Sequence, residues 1–161
     1  DYILKKHHRY VESKIPEIKF FLDKLVNVHG DKHPELMEIR QLFFASADDL
    51  TTHMKKEELV LFPNAIKIDQ ASELNVNNLE RSIQIIEHAV LAMQHEHNEE
   101  GERFRKIAKL TNNYKVPADG CATYATCFAM LNEFEQDLHH HIHLENNILF
   151  PKALELSKKS K

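Results

Sequence analysis

Apolar residues recur every three or four positions along four long stretches of the chain, which is the spacing of one face of an α-helix. Helix breakers separate these stretches at His29–Pro34, at Pro63 with Asp69–Asn78, and at Asn112–Gly120. The predicted helices span about residues 1–28, 34–66, 78–112 and 118–157. Their apolar faces predict an all-α, up-down-up-down four-helix bundle that forms one domain over residues 1–161.

Six ionisable residues interrupt the inward faces, and every helix contributes at least one of them. They are His8, His53, Glu57, His97, His141 and Glu145. The next inward position after each glutamate is predicted to be apolar, Val60 in the second helix and Ile148 in the fourth. A carboxylate buried in such surroundings normally pairs with a cation or binds a metal, because its unpaired burial costs many kcal/mol. The six residues therefore predict a metal site inside the bundle.

The motif H-x3-E-x4-F-P-x-A occurs twice, beginning at His53 and at His141, and corresponding residues lie 88 apart. The histidine and glutamate of each copy are one helical turn apart, so they project from the same face. His8 and His97 are 89 apart, nearly the same interval. We interpret the chain as a duplicated helical hairpin, which would place two equivalent metals side by side.

Carboxylate bridges with imidazole caps suit iron or manganese better than copper or a thiolate-bound zinc. Two such metals, roughly 3.5–4 Å apart, would each take two imidazoles and would share Glu57 and Glu145. With an oxo or hydroxo bridge, this set supplies about ten of the roughly twelve bonds that two octahedral ions take. About one position on each metal is then open to a small ligand.

Other polar residues near the inward faces are weaker candidates. Asp49 lies one turn before His53, and Glu96 directly precedes His97. Two interpretations of these acids stay open: solvated or helix-pairing groups, or a second layer that orients the ligands or lines a path for iron or a small gas molecule. Ser46 is expected to donate its hydroxyl to a carbonyl in its own helix. The acids interpreted as solvated are Asp48, Glu58, Glu99 and Glu100. The histidines expected in solvent or in helix-flank hydrogen bonds are His7, His29, His33, His88, His95, His139, His140 and His143.

Composition limits the classes of partner. The net charge of −4, from 21 basic and 25 acidic residues, gives no electrostatic basis for binding nucleic acid or an anionic membrane. No apolar run approaches the roughly 20 residues of a membrane span, and no amino-terminal signal pattern is present. Cys121 and Cys127 match no paired motif and are expected to be reduced in the cytoplasm, with Cys121 near a helix amino terminus that can acidify a thiol.

Four motifs carry a resemblance to a known family, and together they span nearly the whole chain. They are Lys6-His7-His8-Arg9-Tyr10, His53-x3-Glu57 with Leu61-Phe62-Pro63, Glu96-His97-x3-Gly101, and His141-x3-Glu145-Asn146-Asn147-x-Leu149-Phe150-Pro151. In these motifs the chain resembles hemerythrin-like di-iron proteins, specifically the iron–sulfur cluster repair family (RIC, the YtfE/ScdA group). The resemblance implies iron ligands at the six residues that the inward faces had indicated.

The same resemblance implies a function. It implies cytoplasmic repair of iron–sulfur clusters damaged by nitrosative and oxidative stress, with damaged or apo iron–sulfur proteins as acceptors. Iron donation and the binding or reduction of nitric oxide are both compatible with this role. Oxygen-carrying hemerythrins normally have a histidine where this chain has Gly101, and their final carboxylate lies five residues after the last histidine, whereas Glu145 lies four after His141. These departures argue against a reversible oxygen carrier, and a hemerythrin-type module that binds or senses dioxygen or nitric oxide is the alternative.

Overall fold

The computed structural model describes residues 2–70 and 76–159, and every regular element in that part of the chain is helical. The α-helices are α1 (Arg9–His29), α2 (Glu35–Lys56), α3 (Phe62–Asp69), α4 (Val76–Leu110), α5 (Ala122–Leu144) and α6 (Phe150–Lys159). Three π-helical turns adjoin them without a break: π1 (Leu4–His8) leads into α1, π2 (Glu57–Leu61) joins α2 to α3, and π3 (Glu145–Leu149) joins α5 to α6. The predicted all-α class with four long helices is confirmed, since α2–π2–α3 and α5–π3–α6 each run as one helix.

The helix ends lie close to the predicted ones, with two informative differences. Pro63 does not end the second helix, which continues from π2 into α3 with Pro63 in the first turn of α3. The fourth helix begins at Ala122 rather than near residue 118, after a turn in which the Gly120 N–H donates to the Pro117 carbonyl at 2.9 Å. Part of the predicted second break, residues 71–75, lies outside the described residues. That the chain forms one domain stays a prediction.

The two copies of the repeated motif contain a π-turn at the same place. In each copy the turn begins at the glutamate and ends directly before the phenylalanine. The Phe62 N–H donates to the Glu57 carbonyl, and the Phe150 N–H donates to the Glu145 carbonyl, five residues earlier in both cases. A π-turn therefore holds one residue more than an α-turn of the same height, and such turns frequently occur at functional sites.

The extra residue changes which side chains face inward after each glutamate. Val60 and Ile148 were predicted to face inward, and both predictions are wrong, since these side chains are 37% and 45% exposed. Leu61 and Phe150 are fully buried instead. Because every α-helical residue turns the next side chain by about 100°, one inserted residue is enough to move the inward position along the chain.

The chain divides into two compact units that share the long helices. Among the described residues, the first unit comprises 2–50 and 100–141, and the second comprises 51–70, 76–99 and 142–159. Aromatic rings fill the core of the first unit: the Phe134 ring centroid lies 5.3 Å from that of Phe43 and 5.8 Å from that of Phe104. Leu22 and Leu131 are buried in the same unit.

The second unit has a separate apolar cluster. Its buried members are Leu61, Ile68, Ile83, Ile86, Val90, Met93, Phe150 and Ala153. Apolar residues at and after both π-turns thus pack with the inward face of α4. This packing holds the two π-turns, and with them the backbone of the two glutamates, in place. None of the helices in the described part of the chain has the length and apolar character needed to cross a membrane.

Candidate metal centre

Four of the six predicted ligands belong to the second unit, and their side chains meet there. The Nε2 atoms of His53 and His97 are 3.2 Å apart, and His97 Nε2 lies 2.9 Å from Glu145 Oε2. His53 Nε2 lies 3.8 Å from the same Glu145 oxygen and 3.7 Å from Glu57 Oε2. Two nitrogens held at right angles by metal bonds of about 2.1 Å would be about 3.0 Å apart. The two imidazoles therefore stand close to the arrangement that binds one ion.

The helices position these groups through the spacing seen in the sequence. His53 lies in the last turn of α2, and Glu57 opens π2 four residues later, so both project from one face. His97 comes from the middle of α4, and Glu145 opens π3. Each glutamate is therefore the residue at which the helix widens, and the cluster unites residues that are far apart in the chain.

A hydrogen bond to the far nitrogen orients each imidazole. The Nδ1–H of His53 donates to Glu96 Oε2 at 2.7 Å, and the Nδ1–H of His97 donates to Asn146 Oδ1 at 3.1 Å. These acceptors hold one proton of each ring on Nδ1, so that Nε2 is the atom that faces the cluster and would bind a metal. The His97 ring also stacks on Phe150, with centroids 5.5 Å apart and planes at 10°.

The electrostatics of the second unit favour a cation. The side chains of Glu57 and Glu145 are both 0% exposed. Burial by itself lowers the pKa of His53, but the neighbouring carboxylates, Glu145 foremost, outweigh it and raise the pKa to about 9. In the absence of a metal these carboxylates therefore keep a proton on His53 at neutral pH, and a metal ion bound there takes the place of that proton.

The other two predicted ligands, His8 and His141, lie together in the first unit. Both are buried, and their ring centroids are 5.4 Å apart. His7 was expected in solvent or in a helix-flank hydrogen bond; it is buried, and its Nδ1–H donates to Asp137 Oδ1 at 3.0 Å. The His7 ring stacks on His141 with centroids 5.1 Å apart and planes at 8°, so it supports one face of that imidazole.

Two predictions about polar residues of the first unit are wrong. Glu100 was interpreted as solvated, but it is 4% exposed. Ser46 donates to Glu100 Oε2 at 2.5 Å rather than to its own helix, and Arg103 donates to the other oxygen of that carboxylate. Burial raises the pKa of Glu100 above its usual value, although Ser46 and Arg103 act in the opposite direction. The signal that could have revealed this burial is the spacing, because Glu100 lies three residues after His97.

Asp49 and Glu96, the two acids for which the sequence allowed two interpretations, have different partners. Glu96 accepts a hydrogen bond from the predicted ligand His53, which favours the interpretation that it orients the ligands. Asp49 is bound instead by Arg103, whose Nη2 lies 2.7 Å from Asp49 Oδ2. Sequence reasoning missed Asn146 and Asp137 as hydrogen-bonding partners. Asp137 lies one turn before His141 and Asn146 directly follows Glu145, so both spacings carried a signal.

The donor set fits a metal ion of moderate hardness. It combines imidazole nitrogens and carboxylate oxygens, and both cysteines belong to the first unit, with Cys127 buried and Cys121 exposed. His53, His97 and Glu145 each offer a ligand atom, and these atoms lie within 4.8 Å of one another. Nitrogen and oxygen donors without thiolate suit iron or manganese, and the buried carboxylates supply the negative charge that such an ion requires. These residues can hold a metal.

Comparison with known proteins gives a consistent result. The model of the hemerythrin HHE cation binding domain matches residues 1–153. The chain is 34% identical over 154 residues to a probable iron–sulfur cluster repair protein of Haemophilus influenzae, covering 96% of this chain and 63% of that protein. It is 34% identical over 156 residues to the iron–sulfur cluster repair protein YtfE of Musicola paradisiaca, covering 95% and 63%. For ScdA of Staphylococcus epidermidis, also an iron–sulfur cluster repair protein, the identity is 28% over 152 residues, covering 94% and 64%. The chain thus spans a little under two thirds of the length of these curated relatives.

Proposed function

We propose, because this chain belongs to the hemerythrin family of HHE cation binding domains, that it holds a non-haem di-iron centre with which iron–sulfur clusters are repaired. The clusters would be those damaged by nitrosative or oxidative stress in the cytoplasm. The relatives described above are iron–sulfur cluster repair proteins. Because the chain spans only part of their length, the repair activity and its target proteins are both part of the proposal.

The ligands we propose are the six inward residues. His53 and His97 would bind one iron, His8 and His141 the other, and Glu57 and Glu145 would bridge the pair. The observation that carries the proposal is the paired Nε2 atoms of His53 and His97, 3.2 Å apart beside a fully buried glutamate. The burial of His8 and His141 and the closeness of their rings support the second pair of ligands.

A ferrous pair with an open position would supply binding of a small gas molecule, one-electron redox chemistry and iron that can be given up to an acceptor. The chain's own contribution is to orient and to exclude water. Glu96 and Asn146 hold the proton of each imidazole on Nδ1. Apolar packing after both π-turns keeps the two glutamates away from solvent. Donation of iron and reduction of nitric oxide both agree with such a site.

Metal analysis of anaerobically loaded protein tests the centre itself. We expect two irons per chain, falling to one or fewer in His53→Ala. A matched control is His95→Ala, because His95 lies on the same helix as His97 but its ring pairs, among the described residues, with Glu99 at 3.4 Å, and both side chains are largely exposed. Unchanged iron content in His53→Ala would exclude this assignment of the ligands.

Two assays on the loaded protein separate the modes of repair. Transfer of labelled iron to an apo-ferredoxin would support donation, and nitrous oxide formed from nitric oxide by the ferrous protein would support reduction. A protein that binds two irons but shows neither activity, and instead forms a reversible oxygen adduct, would replace repair by the sensing alternative.

A further inference from the structure

A groove of about 540 Å³ opens on the second unit between π2 and α4, apart from the cluster of predicted ligands. Its lining is mostly apolar and includes Val60, Ile85, Ala89, Ala92 and Met93. Met93 is buried, Ile85 and Ala89 are half-buried, and Val60 and Ala92 are exposed. The groove therefore deepens from the surface toward the apolar cluster of the unit.

Two features of the helices create this space. The extra residue of π2 turns Val60 out of the core, so that a branched apolar side chain stands on the surface at the wall of the groove. On α4, the lining residues Ile85, Ala89 and Ala92 follow one another at helical spacing along a single stripe. Alanine at two of these positions leaves room that larger side chains would fill.

Basic side chains are the polar groups that stand out in the lining. Lys56, Arg81 and His88 border the groove, and none of its lining residues is acidic. His88 uses Nδ1 to donate to the Gln84 carbonyl at 2.8 Å, so the positive charge of the border comes from Lys56 and Arg81. The chain as a whole has a net charge of −4, so this surface reverses the prevailing sign. A cationic border around an apolar floor complements a ligand with an anionic end and a hydrocarbon body.

We propose that the groove binds a small amphipathic carboxylate, a fatty-acid-like anion, whose carboxylate is held by the basic side chains and whose hydrocarbon chain lies against Val60, Ile85 and Met93. The size favours a small molecule, because small-molecule sites in proteins occupy about 300–1,000 Å³. Several turns of a partner helix, about 10 Å across, would need a much longer groove.

The position of Lys56 connects this site to the candidate metal centre. Lys56 Nζ donates to Glu96 Oε1, and the other oxygen of Glu96 accepts the Nδ1–H of His53. Because an ammonium group has three N–H donors, a carboxylate bound at Lys56 would share this group with Glu96. Occupancy of the groove is thereby coupled to the hydrogen bond that orients His53. The proposed ligand site does not depend on the proposed repair function.

Calorimetric titration of the purified full chain with decanoate tests the proposal, with decan-1-ol as the uncharged probe of the same length. We expect saturable binding of one decanoate per chain, and binding of decan-1-ol weaker by about tenfold or more, since hydrogen bonds to charged groups are the stronger ones. Two variants report on the two halves of the site. Arg81→Gln should weaken decanoate binding by about tenfold, and Ala92→Leu, which fills the groove, should weaken both probes.

Arg9→Gln is the matched control, because Arg9 is an exposed arginine of the first unit whose partner among the described residues is Glu12, at 2.7 Å. It should bind decanoate as the parent chain does, and circular dichroism of each variant shows whether the helices are intact. Absence of saturable decanoate binding below about 1 mM would overturn the proposal, and so would unchanged binding in both Arg81→Gln and Ala92→Leu. Equal affinity for decan-1-ol would overturn the assignment to an anion.

Discussion

Replacement of Glu96 tests whether a hydrogen bond behind His53 prepares that imidazole for a metal. Glu96 Oε2 accepts the Nδ1–H of His53 at 2.7 Å, and Oε1 accepts from Lys56. Burial alone raises the pKa of Glu96, but the bonds from Lys56 and His53 outweigh it and lower the pKa, so the group is a carboxylate at neutral pH. Glu96→Gln can still accept from His53, but its amide NH2 group then faces the ammonium of Lys56.

The expected size of the effect follows from the role of such partners. Removing a group that orients a metal-bound histidine typically weakens metal binding by about 10- to 100-fold, or about 1.4–2.7 kcal/mol. Because glutamine keeps one acceptor, we expect about tenfold for Glu96→Gln and a loss toward 100-fold for Glu96→Ala, which frees His53 Nδ1 altogether. We therefore expect the affinity for iron to be highest in the parent chain, lower in Glu96→Gln and lowest in Glu96→Ala.

Anaerobic titration with ferrous iron against a competing chelator measures this affinity. Glu99→Gln is the control, because the Glu99 side chain is 61% exposed on the same helix and its partner in the described part of the chain is His95. Glu99→Gln should bind iron as the parent chain does. Unchanged affinity in Glu96→Ala, or an equal loss in Glu99→Gln, would refute the assignment of Glu96 as an orienting residue.

Three further predictions concern the first unit. The His29 ring nitrogen 3.3 Å from Cys121 helps to lower the pKa of that thiol to about 7, whereas burial raises the pKa of Cys127 to about 12. Iodoacetamide should therefore label Cys121 alone, at a rate that rises through about pH 7 and then levels off, as mass spectrometry will show. Gly101→Ala should stabilise α4 by about 0.5–1 kcal/mol in urea unfolding, since glycine weakens a helix interior. Ser46→Ala should destabilise by about 1–3 kcal/mol, because it removes a donor from a buried carboxylate.

Each of these three predictions has a control or an outcome that would contradict it. His29→Ala should move the midpoint of Cys121 labelling to higher pH, and an unchanged midpoint would contradict the assigned pairing. A β-carbon at position 101 would meet only the end of Arg105, at 3.9 Å, so a loss of stability in Gly101→Ala would show that the helix is crowded there. Ser13→Ala removes an exposed hydroxyl that bonds to its own helix, and it should cost less than Ser46→Ala.

The helices and the inward ligands could be predicted because one physical rule, the 3.6-residue period, governs both. Inward positions such as Ile18, Leu22 and Leu131 are buried, and all six ionisable residues on these faces are buried as well. A buried histidine and a buried glutamate on such a face need a stabilising partner, which is either a metal ion or a strong ion pair. Their joint role as ligands of two irons stays a prediction.

The failures of prediction have equally specific causes. Val60 and Ile148 were misplaced because an α-helical period was continued through a π-turn, for which the proline two residues after each turn was the available clue. Ser46 and Glu100 were misassigned because each was considered on its own helix, while their bond joins residues 54 apart. Hydrogen bonds between helices depend on packing that periodicity does not describe.

The π-turns also decide which changes of length the second helix tolerates. Leu59 lies inside π2 and is 74% exposed, so its side chain adds little to the packing. Substituting it should matter little. Deleting it would let π2 close into an ordinary α-turn of the same height, which leaves the helix downstream facing as before. Leu61 and Ile68 would then stay in the interior, and the change would be confined to the turn that begins at Glu57. Leu59 is thus the residue that widens this turn, and a gap placed at this point in an alignment would mark a protein whose glutamate opens an ordinary α-turn instead.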